Sequence, residues 1–120
     1  MAIEFGIEER RVDTGTHVVA VTGEIDLFTA PEFKQRVMAP IAAGARHVIV
    51  DLTGTTFIDS SSLGVLIGAH RRLKTRRGRL VVACDNEAIV KTFRITGLDG
   101  VFTLAASVDE ALQRGTLEAA

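Results

Sequence analysis

The sequence predicts an α/β fold with a mixed, mostly parallel sheet of four to five strands, an antiparallel strand at the amino-terminal edge and about four helices. Apolar runs rich in β-branched residues recur along the chain, and segments with helical spacing of apolar residues separate them. A turn signal, Asp13-Thr14-Gly15-Thr16, lies between the first two runs. Strands that alternate with helices are typical of parallel sheets joined by right-handed crossovers.

The composition fits a single domain over residues 1–120, with 47% hydrophobic and 24% charged residues. Fourteen basic and 15 acidic residues give a net charge of -1, so overall charge does not point to nucleic acid. One cysteine, Cys84, excludes an internal disulfide and a cysteine-based zinc site, so we expect a packed thiol. The longest apolar stretch, Leu63 to Ala69, is too short to span a membrane, and no secretory signal begins the chain. These features predict a cytoplasmic protein with no membrane partner.

Two apolar patterns predict the strands. Ile3, Phe5 and Ile7 are separated by single residues, a spacing that indicates a strand with one buried face, and the turn signal joins it to the next strand in a hairpin. Continuous runs indicate strands covered on both faces, at residues 17–22, 47–50, 80–84 and, more weakly, 101–104.

Residues that recur at helical spacing predict three helices, each with one apolar face. These faces consist of Phe33, Val37 and Ile41 in the first helix, of Leu63, Leu66, Ile67, His70 and Leu73 in the second, and of Ile89, Val90 and Phe93 in the third. Thr29 and Pro31 suit the first turn of the first helix, and Gly44 suits its carboxyl-terminal cap. Pro40 should kink or shorten that helix. Ser107-Val108-Asp109-Glu110 predicts a capping box at the start of a fourth helix.

In a parallel α/β layer, functional side chains collect at the carboxyl edge of the sheet. Here that edge holds Gly23 to Asp26, Ile58 to Ser62, and Asp85-Asn86. The segment Asp59-Ser60-Ser61-Ser62-Leu63-Gly64 precedes the helix with the clearest apolar stripe, so Ser60 or its neighbour should cap that helix with a partly exposed hydroxyl. Such serines commonly do no more than cap a helix, although two residues would suffice for that.

The residues that carry most information are Gly23-Glu24-Ile25-Asp26, His47-Val48-Ile49-Val50-Asp51-Leu52 and Phe57-Ile58-Asp59-Ser60-Ser61-Ser62-Leu63-Gly64-Val65-Leu66. In these segments the chain resembles bacterial anti-sigma factor antagonists, stand-alone members of the STAS domain family. The resemblance covers essentially the whole chain. Ser62 stands where the family often has glycine, so the choice of acceptor among the three serines stays open at this point.

The resemblance implies a phosphorylation switch. Ser60, directly after the aspartate, would receive phosphate from an anti-sigma factor that is also a serine/threonine kinase, with Ser61 as the second choice. The unmodified form would bind that kinase and free the sigma factor, and a metal-dependent serine/threonine phosphatase would reset the switch. The implied partner-binding residues are Asp26, Asp59, Ser60, Ser61, Ser62 and Gly64.

Elementary electrostatics fits such a switch. A phosphate adds roughly -1.5 to -2 charges. A helix amino terminus offers free N–H groups and positive dipole potential that would hold it, so the fold should tolerate modification. A partner packed over the same helix would meet a bulky dianion instead of a hydroxyl, and its binding should fall.

Other functional hypotheses have less support in the sequence. Asp26 and Asp59 could form an acid–base pair or a magnesium site, but a strand end and a helix cap explain them, so we predict no metal and no cofactor. A serine hydrolase requires Gly-x-Ser-x-Gly, and Ile58 occupies its first position relative to Ser60. No phosphate-binding loop occurs either, so the chain is predicted not to be an enzyme.

An alternative within the same family is a subunit of a lipid or solute transporter that binds an ATPase subunit without phosphorylation.

Six basic residues cluster at the end of the central helix and the following turn: Arg71, Arg72, Lys74, Arg76, Arg77 and Arg79. Cations favour a helix carboxyl terminus, and the chain has no Trp or Tyr for base stacking, so we expect no nucleic-acid partner. Gly64 and Gly68, four residues apart, are expected to allow close internal packing of the helix.

Overall fold

Five strands form one sheet in the order β1-β2-β3-β4-β5 in the computed structural model, which describes residues 4–119 and the side chains of residues 4–114. The strands are β1 (Gly6–Asp13), β2 (Thr16–Ile25), β3 (His47–Ile58), β4 (Arg79–Ala83) and β5 (Thr103–Ala105). β1 pairs antiparallel with β2, and the other neighbours pair in parallel. The predicted mostly parallel sheet with an antiparallel edge strand is therefore confirmed.

Four α-helices cover the sheet: α1 (Ala30–Ala42), α2 (Ser60–Lys74), α3 (Glu87–Ile95) and α4 (Val108–Ala119). Side chains of α1, α2 and α3, such as Phe33, Leu66 and Phe93, pack with Val48 and Val50 in the larger buried cluster. Ala111 of α4 packs on the other face, with Val18, Ile49 and Val81. Alternate residues of β3 therefore enter opposite layers, which explains the continuous apolar runs in the sequence.

Some boundaries differ from those predicted. Ile3 lies outside the described residues, while Phe5 and Ile7 pack against the larger cluster. β3 continues to Ile58 because its pairing with β2 persists past the apolar run to Ile25↔Ile58. The last strand begins later, since a short 3₁₀-helix over Leu98–Gly100 precedes it.

The helix end signals are largely confirmed. Gly44 has φ 102° and donates its N–H to the Ile41 carbonyl, while Ala45 N–H bonds to the Pro40 carbonyl at 2.9 Å, the pattern of a Schellman cap. Pro40 does not stop α1, which ends two residues later at Ala42. In the expected capping box of α4, Ser107 Oγ accepts from Glu110 N, but the Glu110 carboxylate accepts from Ala106 N, one residue earlier than in the standard pattern.

The carboxyl ends of β2 and β3 lie side by side despite two irregularities in their pairing. Gly23, with φ 84°, lies at one of them. The buried Thr55 hydroxyl donates to the Val21 carbonyl at 2.8 Å and so replaces part of the regular ladder. The segments that follow Ile25 and Ile58 are thereby brought next to each other.

The two edges of the sheet differ in length. β1 forms one edge over eight residues, and its side chains Glu8, Glu9, Arg10 and Arg11 are exposed. β5 forms the other edge with only three residues.

Candidate functional site

The candidate site lies where α2 begins, and Asp59 organises it. Asp59 is the amino-terminal cap of α2, and its carboxylate accepts hydrogen bonds from Ser61 N at 3.0 Å and Ser62 N at 3.2 Å. The Ser61 hydroxyl also donates to this carboxylate. The first turn of the helix is therefore held by one aspartate, as expected for an N-cap in an extended backbone conformation.

Ser62 closes the cap and links it to the neighbouring strand. Its Oγ accepts from Asp59 N at 3.2 Å and donates to the carbonyl of Ile25, the last residue of β2, at 2.7 Å. Ser62 has no exposed surface. The family resemblance implies that Ser62 belongs to the partner-binding surface, and the structure corrects this, because a fully buried side chain offers no area to a partner.

Ser60 differs from the other two serines. It is the first residue of α2 and is exposed, and its hydroxyl makes no hydrogen bond within the part of the chain that the structure describes. Ser61 is half-buried and bonded to Asp59. Only the Ser60 oxygen is thus both accessible and uncommitted among the three serines.

Asp26 shapes the loop next to Ser60. Its carboxylate accepts from Phe28 N at 2.9 Å and from Thr29 N at 3.0 Å, and its own N–H donates to Thr29 Oγ1 at 2.9 Å. Thr29 is the cap residue of α1, with Pro31 in the first turn, as predicted. Asp26 and Asp59 therefore each fix a turn at the same sheet edge, and the Ser62–Ile25 hydrogen bond connects the two turns.

Large exposed apolar side chains flank this pair of turns. Leu27 is 70% exposed and Phe28 is 88% exposed in the Asp26 loop, and Phe57, near the end of β3, is 47% exposed. Sequence reasoning missed all three. The signal available was an apolar pair in a loop directly after Asp26, at the functional edge of the sheet. Leu27 and Phe28 are neighbours in the loop, and adjacent exposed apolar side chains are typical of protein-binding surfaces. Phe57 precedes Ile58, which packs in the core with α2, so Phe57 points to the opposite face of the sheet.

The two glycines of α2 do not have the role expected of them. A Cβ added at Gly64 or at Gly68 would meet nothing within 4 Å, so neither residue makes room for internal packing. Gly64 is exposed one turn after Ser60. Both glycines lower the helix propensity of α2, and they do so on a side of the helix that faces away from the core.

The charges at the site correct the expectation that the helix terminus is free to hold a phosphate. The N–H groups of Ser61 and Ser62 already bond to Asp59. The Ser61 hydroxyl, above all, together with these backbone N–H groups, lowers the pKa of Asp59 below its ordinary value. A phosphate on Ser60 would therefore lie beside an ionised carboxylate that has taken two of the first-turn donors.

Other reactive residues lie elsewhere. Cys84 is 5% exposed, and burial raises the pKa of its thiol, as expected of a packed cysteine. His70 packs edge-on against Phe102 at 5.6 Å, and burial lowers its pKa. Across residues 4–119, no group of three or more His, Cys, Asp or Glu residues is placed to hold a metal ion, and no helix has the length and apolar character needed to cross a membrane.

Ser62→Ala should reduce the free energy of unfolding by about 1–3 kcal/mol, because it removes the buried hydrogen bond to Ile25. Ser60→Ala is the matched control, and its effect should stay within about 0.5 kcal/mol because Ser60 is exposed. Urea denaturation measures both. Equal unfolding free energies for the two variants would contradict the structural role given to Ser62.

The lowered pKa of Asp59 predicts a pH-dependent contribution to stability. The contribution is fully present above the unfolded value of about 3.8 and is lost as the pH falls through the lower folded value. The stability advantage of the wild type over Asp59→Asn should therefore shrink on acidification from pH 7 to about pH 3. Urea denaturation of both proteins at each pH tests this, and an advantage that grows on acidification would refute it.

Comparison with known proteins places this geometry in a family. Residues 9–111 match the family model of the STAS domain. The anti-sigma-B factor antagonist of Listeria monocytogenes is 33% identical over 105 residues, which cover 87% of this chain and 90% of that protein. The anti-sigma-B factor antagonist of Bacillus subtilis is 28% identical over 95 residues, which cover 79% of this chain and 86% of that protein.

Solved structures agree. An anti-sigma factor antagonist from Mycobacterium paratuberculosis superposes with a TM-score of 0.86 at 29% identity, over 94% of this chain and 95% of that one. The Bacillus cell fate determinant SpoIIAA in its phosphorylated form superposes with a TM-score of 0.71 at 26% identity, over 92% of this chain and 98% of that one. With the family model matching most of its length, the chain belongs to the STAS domain family.

Proposed function

We propose that this protein is an anti-sigma factor antagonist controlled by phosphorylation of Ser60. The unphosphorylated form binds an anti-sigma factor that is also a serine/threonine kinase, and the sigma factor is released. Phosphate on Ser60 ends this binding, and a serine/threonine phosphatase restores it. The protein acts in the cytoplasm as a substrate and binding partner, with no catalytic step of its own.

The observation that carries the proposal is the different state of the three serine hydroxyls. A kinase must reach an oxygen and remove its proton, so the acceptor has to be exposed and free of strong internal bonds. Ser60 meets both conditions, whereas Ser61 donates to Asp59 and Ser62 is buried. This ranks Ser60 above Ser61 as acceptor on physical grounds, independently of the family resemblance.

The similar proteins support the regulatory class. The relatives from Listeria monocytogenes and Bacillus subtilis are anti-sigma-B factor antagonists. The similar Bacillus protein SpoIIAA has a solved phosphorylated form. The transporter-subunit alternative has no such support among these relatives, and the exposed Ser60 has no function in it.

The proposed contact surface, which we call the docking face, consists of Asp26, Leu27, Phe28, Asp59, Ser60, Ser61 and Gly64. Its apolar members supply area whose removal from water favours binding, at about 25 cal/mol per Å². The bare backbone at Gly64 lets a partner approach α2 closely. Ser60 lies within this face, so a modification there acts directly on the contact.

Phosphorylation would act mainly by repulsion. The new dianion would join the carboxylate of Asp59, and two of the first-turn N–H groups that could otherwise neutralise it already bond to that carboxylate. The phosphate is then left to solvent or to the partner, where burial without compensating donors is costly. A shift from 99:1 bound to 1:99 requires about 5.5 kcal/mol, which a buried dianion can supply.

Substitution of Ser60 tests the switch. Ser60→Ala should remain folded, bind the kinase partner and accept no phosphate, whereas Ser60→Asp should bind on the order of 100-fold more weakly, since like-charge contact costs several kcal/mol. Isothermal titration calorimetry gives both affinities, and mass spectrometry after incubation with ATP and the kinase locates the phosphate.

Two matched variants control this experiment. Ser61→Ala should still be phosphorylated, and Thr75→Ala, an exposed hydroxyl just after the far end of α2, should change neither labelling nor affinity. Two results would contradict the proposal: phosphate on Ser61 in the wild type, and equal affinity of Ser60→Ala and Ser60→Asp for the kinase.

Phe28 provides an independent test of the docking face. Because it is 88% exposed, Phe28→Ala should leave the free energy of unfolding unchanged. It should weaken kinase binding by roughly 30-fold, the effect of losing an aromatic anchor worth about 2 kcal/mol. Ile95→Ala, which removes a side chain 73% exposed at the end of α3, is the control and should bind like the wild type. Unchanged affinity of Phe28→Ala would place the contact elsewhere.

A further inference from the structure

Basic side chains collect at the end of the sheet opposite the docking face. Helix α2 begins with Ser60 at the docking face and ends with Lys74 at this far end, and the turn after it leads into β4. The chain has a net charge of -1, so a basic cluster here reflects segregation of charge along the molecule. Six exposed cations form what we call the basic end: Arg46, Arg71, Arg72, Lys74, Arg76 and Arg77.

Backbone contacts hold the segments of the basic end together. Arg79 N donates to the Arg46 carbonyl at 2.7 Å, and a Cβ added at Gly78 would clash with the same oxygen. Arg76 Nη1 donates to the Ile41 carbonyl at 2.5 Å, which ties the turn after α2 to the end of α1. The cations of the α1–β3 loop, the last turn of α2 and the α2–β4 turn therefore lie next to one another.

The charge of the basic end is not neutralised within the described part of the chain. Among the side chains of residues 4–114, none of the six cations forms an ion pair with a carboxylate. Asp13, in the neighbouring β1–β2 turn, accepts a hydrogen bond from Gly15 N. Other acidic residues gather where the parallel strands end, beside the docking face: Asp26, Asp59, Asp85, Glu87, Asp109 and Glu110. The domain is therefore electrically polar along the direction of α2.

Arg77 occupies a backbone position that disfavours arginine. Its φ is 57°, in the left-handed region. Gly78 N donates to the Leu73 carbonyl at 2.7 Å and Arg77 N donates to the Lys74 carbonyl at 3.1 Å, so Arg77 holds the place that glycine usually takes in a Schellman cap. Any side chain with a Cβ is strained there. An arginine that costs stability and makes no ion pair in the described chain indicates a use outside the fold.

Exposed aliphatic side chains border the basic end. Val101 precedes Phe102, whose ring packs edge-on against His70 of α2. Val101 is 44% exposed, and Ile95, at the end of α3, is 73% exposed. The exposed Asp99 between them reduces the local positive charge but leaves the six cations in excess. Basic side chains beside exposed aliphatic ones are typical of surfaces that bind at a membrane interface.

We propose that the basic end binds the surface of an anionic lipid bilayer, with its arginines on headgroup phosphates and with Ile95 and Val101 at the boundary of the acyl chains. Lipid headgroups move independently, so each can pair with a cation that projects from a loop or a helix end without a matching pattern. Nucleic acid would use the same cations, but the aliphatic side chains would have no role there, and the chain has no Trp or Tyr for base stacking.

The charge distribution also sets the orientation. An anionic surface attracts the basic end and repels the acidic residues beside the docking face, so the docking face points away from the bilayer. The expectation of no membrane partner rests on the lack of a spanning segment, which a surface contact does not need. The proposal is independent of the phosphorylation switch, because it uses none of the residues of the docking face.

Sedimentation with lipid vesicles measures this binding with the full chain. Vesicles of phosphatidylglycerol and phosphatidylcholine in equal parts should bind the protein saturably, and binding should weaken as NaCl rises from about 50 to about 300 mM, because salt screens exposed charges. Vesicles of phosphatidylcholine alone should bind at least about tenfold more weakly, since the attraction of the cations is lost. The proposal is overturned if the protein does not sediment with the anionic vesicles or binds both kinds equally.

Two lysines provide a matched pair of variants. A basic residue near an anionic surface strengthens binding by about fivefold, which corresponds to about 1 kcal/mol. Lys74→Glu, at the basic end, should therefore weaken vesicle binding by about 25-fold. Lys34→Glu changes the net charge equally, at an exposed position near the start of α1, and should alter binding by less than about twofold. Equal losses in both variants would show that net charge alone acts and would overturn the proposal.

Arg77→Gly separates surface function from stability. Glycine relieves the strained backbone, so the urea midpoint of unfolding should rise, while vesicle binding should fall by about fivefold. Ile95→Ala should weaken vesicle binding by about threefold, whereas Leu27→Ala, similarly exposed but on the docking face, should not. Wild-type vesicle affinity of Arg77→Gly would contradict the proposal.

Competition identifies the class of partner. Poly-L-glutamate and a short DNA duplex represent an acidic protein and a nucleic acid. Each is added to the vesicle-bound protein at the same concentration of negative charge as the vesicle surface, and each should release less than about half of it, since neither engages the aliphatic side chains. Release of more than half by either competitor would overturn the assignment of the basic end to a membrane.

Discussion

The hydrogen bond from Ser62 Oγ to the Ile25 carbonyl joins the two segments on which the site depends. It connects the end of β2 to the first turn of α2, and through Asp59 it fixes where that helix starts. Because the bond is fully buried, water does not compete with it. The loop that carries Phe28 and the turn that carries Ser60 are therefore held together at one edge of the sheet, so the proposed partner would contact both.

The three consecutive serines have three different roles that a single residue could not combine. Ser62 is internal and structural, Ser61 holds the Asp59 carboxylate, and Ser60 is left exposed. A glycine at position 62 would have no hydroxyl to make the bond to β2. This chain thus supports the same edge by a side-chain hydrogen bond.

Local patterns were sufficient for much of this architecture. The hairpin, the covered strands, the Gly44 cap and the position of Asp59 each depend on a few neighbouring residues, and all were predictable. Three features could not be predicted from neighbouring residues: the extent of β3, the outward direction of Gly64 and Gly68, and the burial of Ser62. They depend on the pairing of β2 with β3 and on the rotation of α2 about its axis, which a short stretch of sequence does not determine. The exposure of Leu27 and Phe28 was missed for the same reason, since composition alone assigns such side chains to a core.

The two edges of the sheet also influence how this protein can associate. Strand edges carry unpaired backbone groups and can recruit a strand from another chain, which leads to aggregation. β1 opposes such recruitment with the consecutive charges Glu8, Glu9, Arg10 and Arg11, and β5 offers only three residues. Lateral growth into a continuous intermolecular sheet is thus disfavoured at both sides, which leaves the exposed Leu27 and Phe28, at the end of the domain, as the surface through which it can associate.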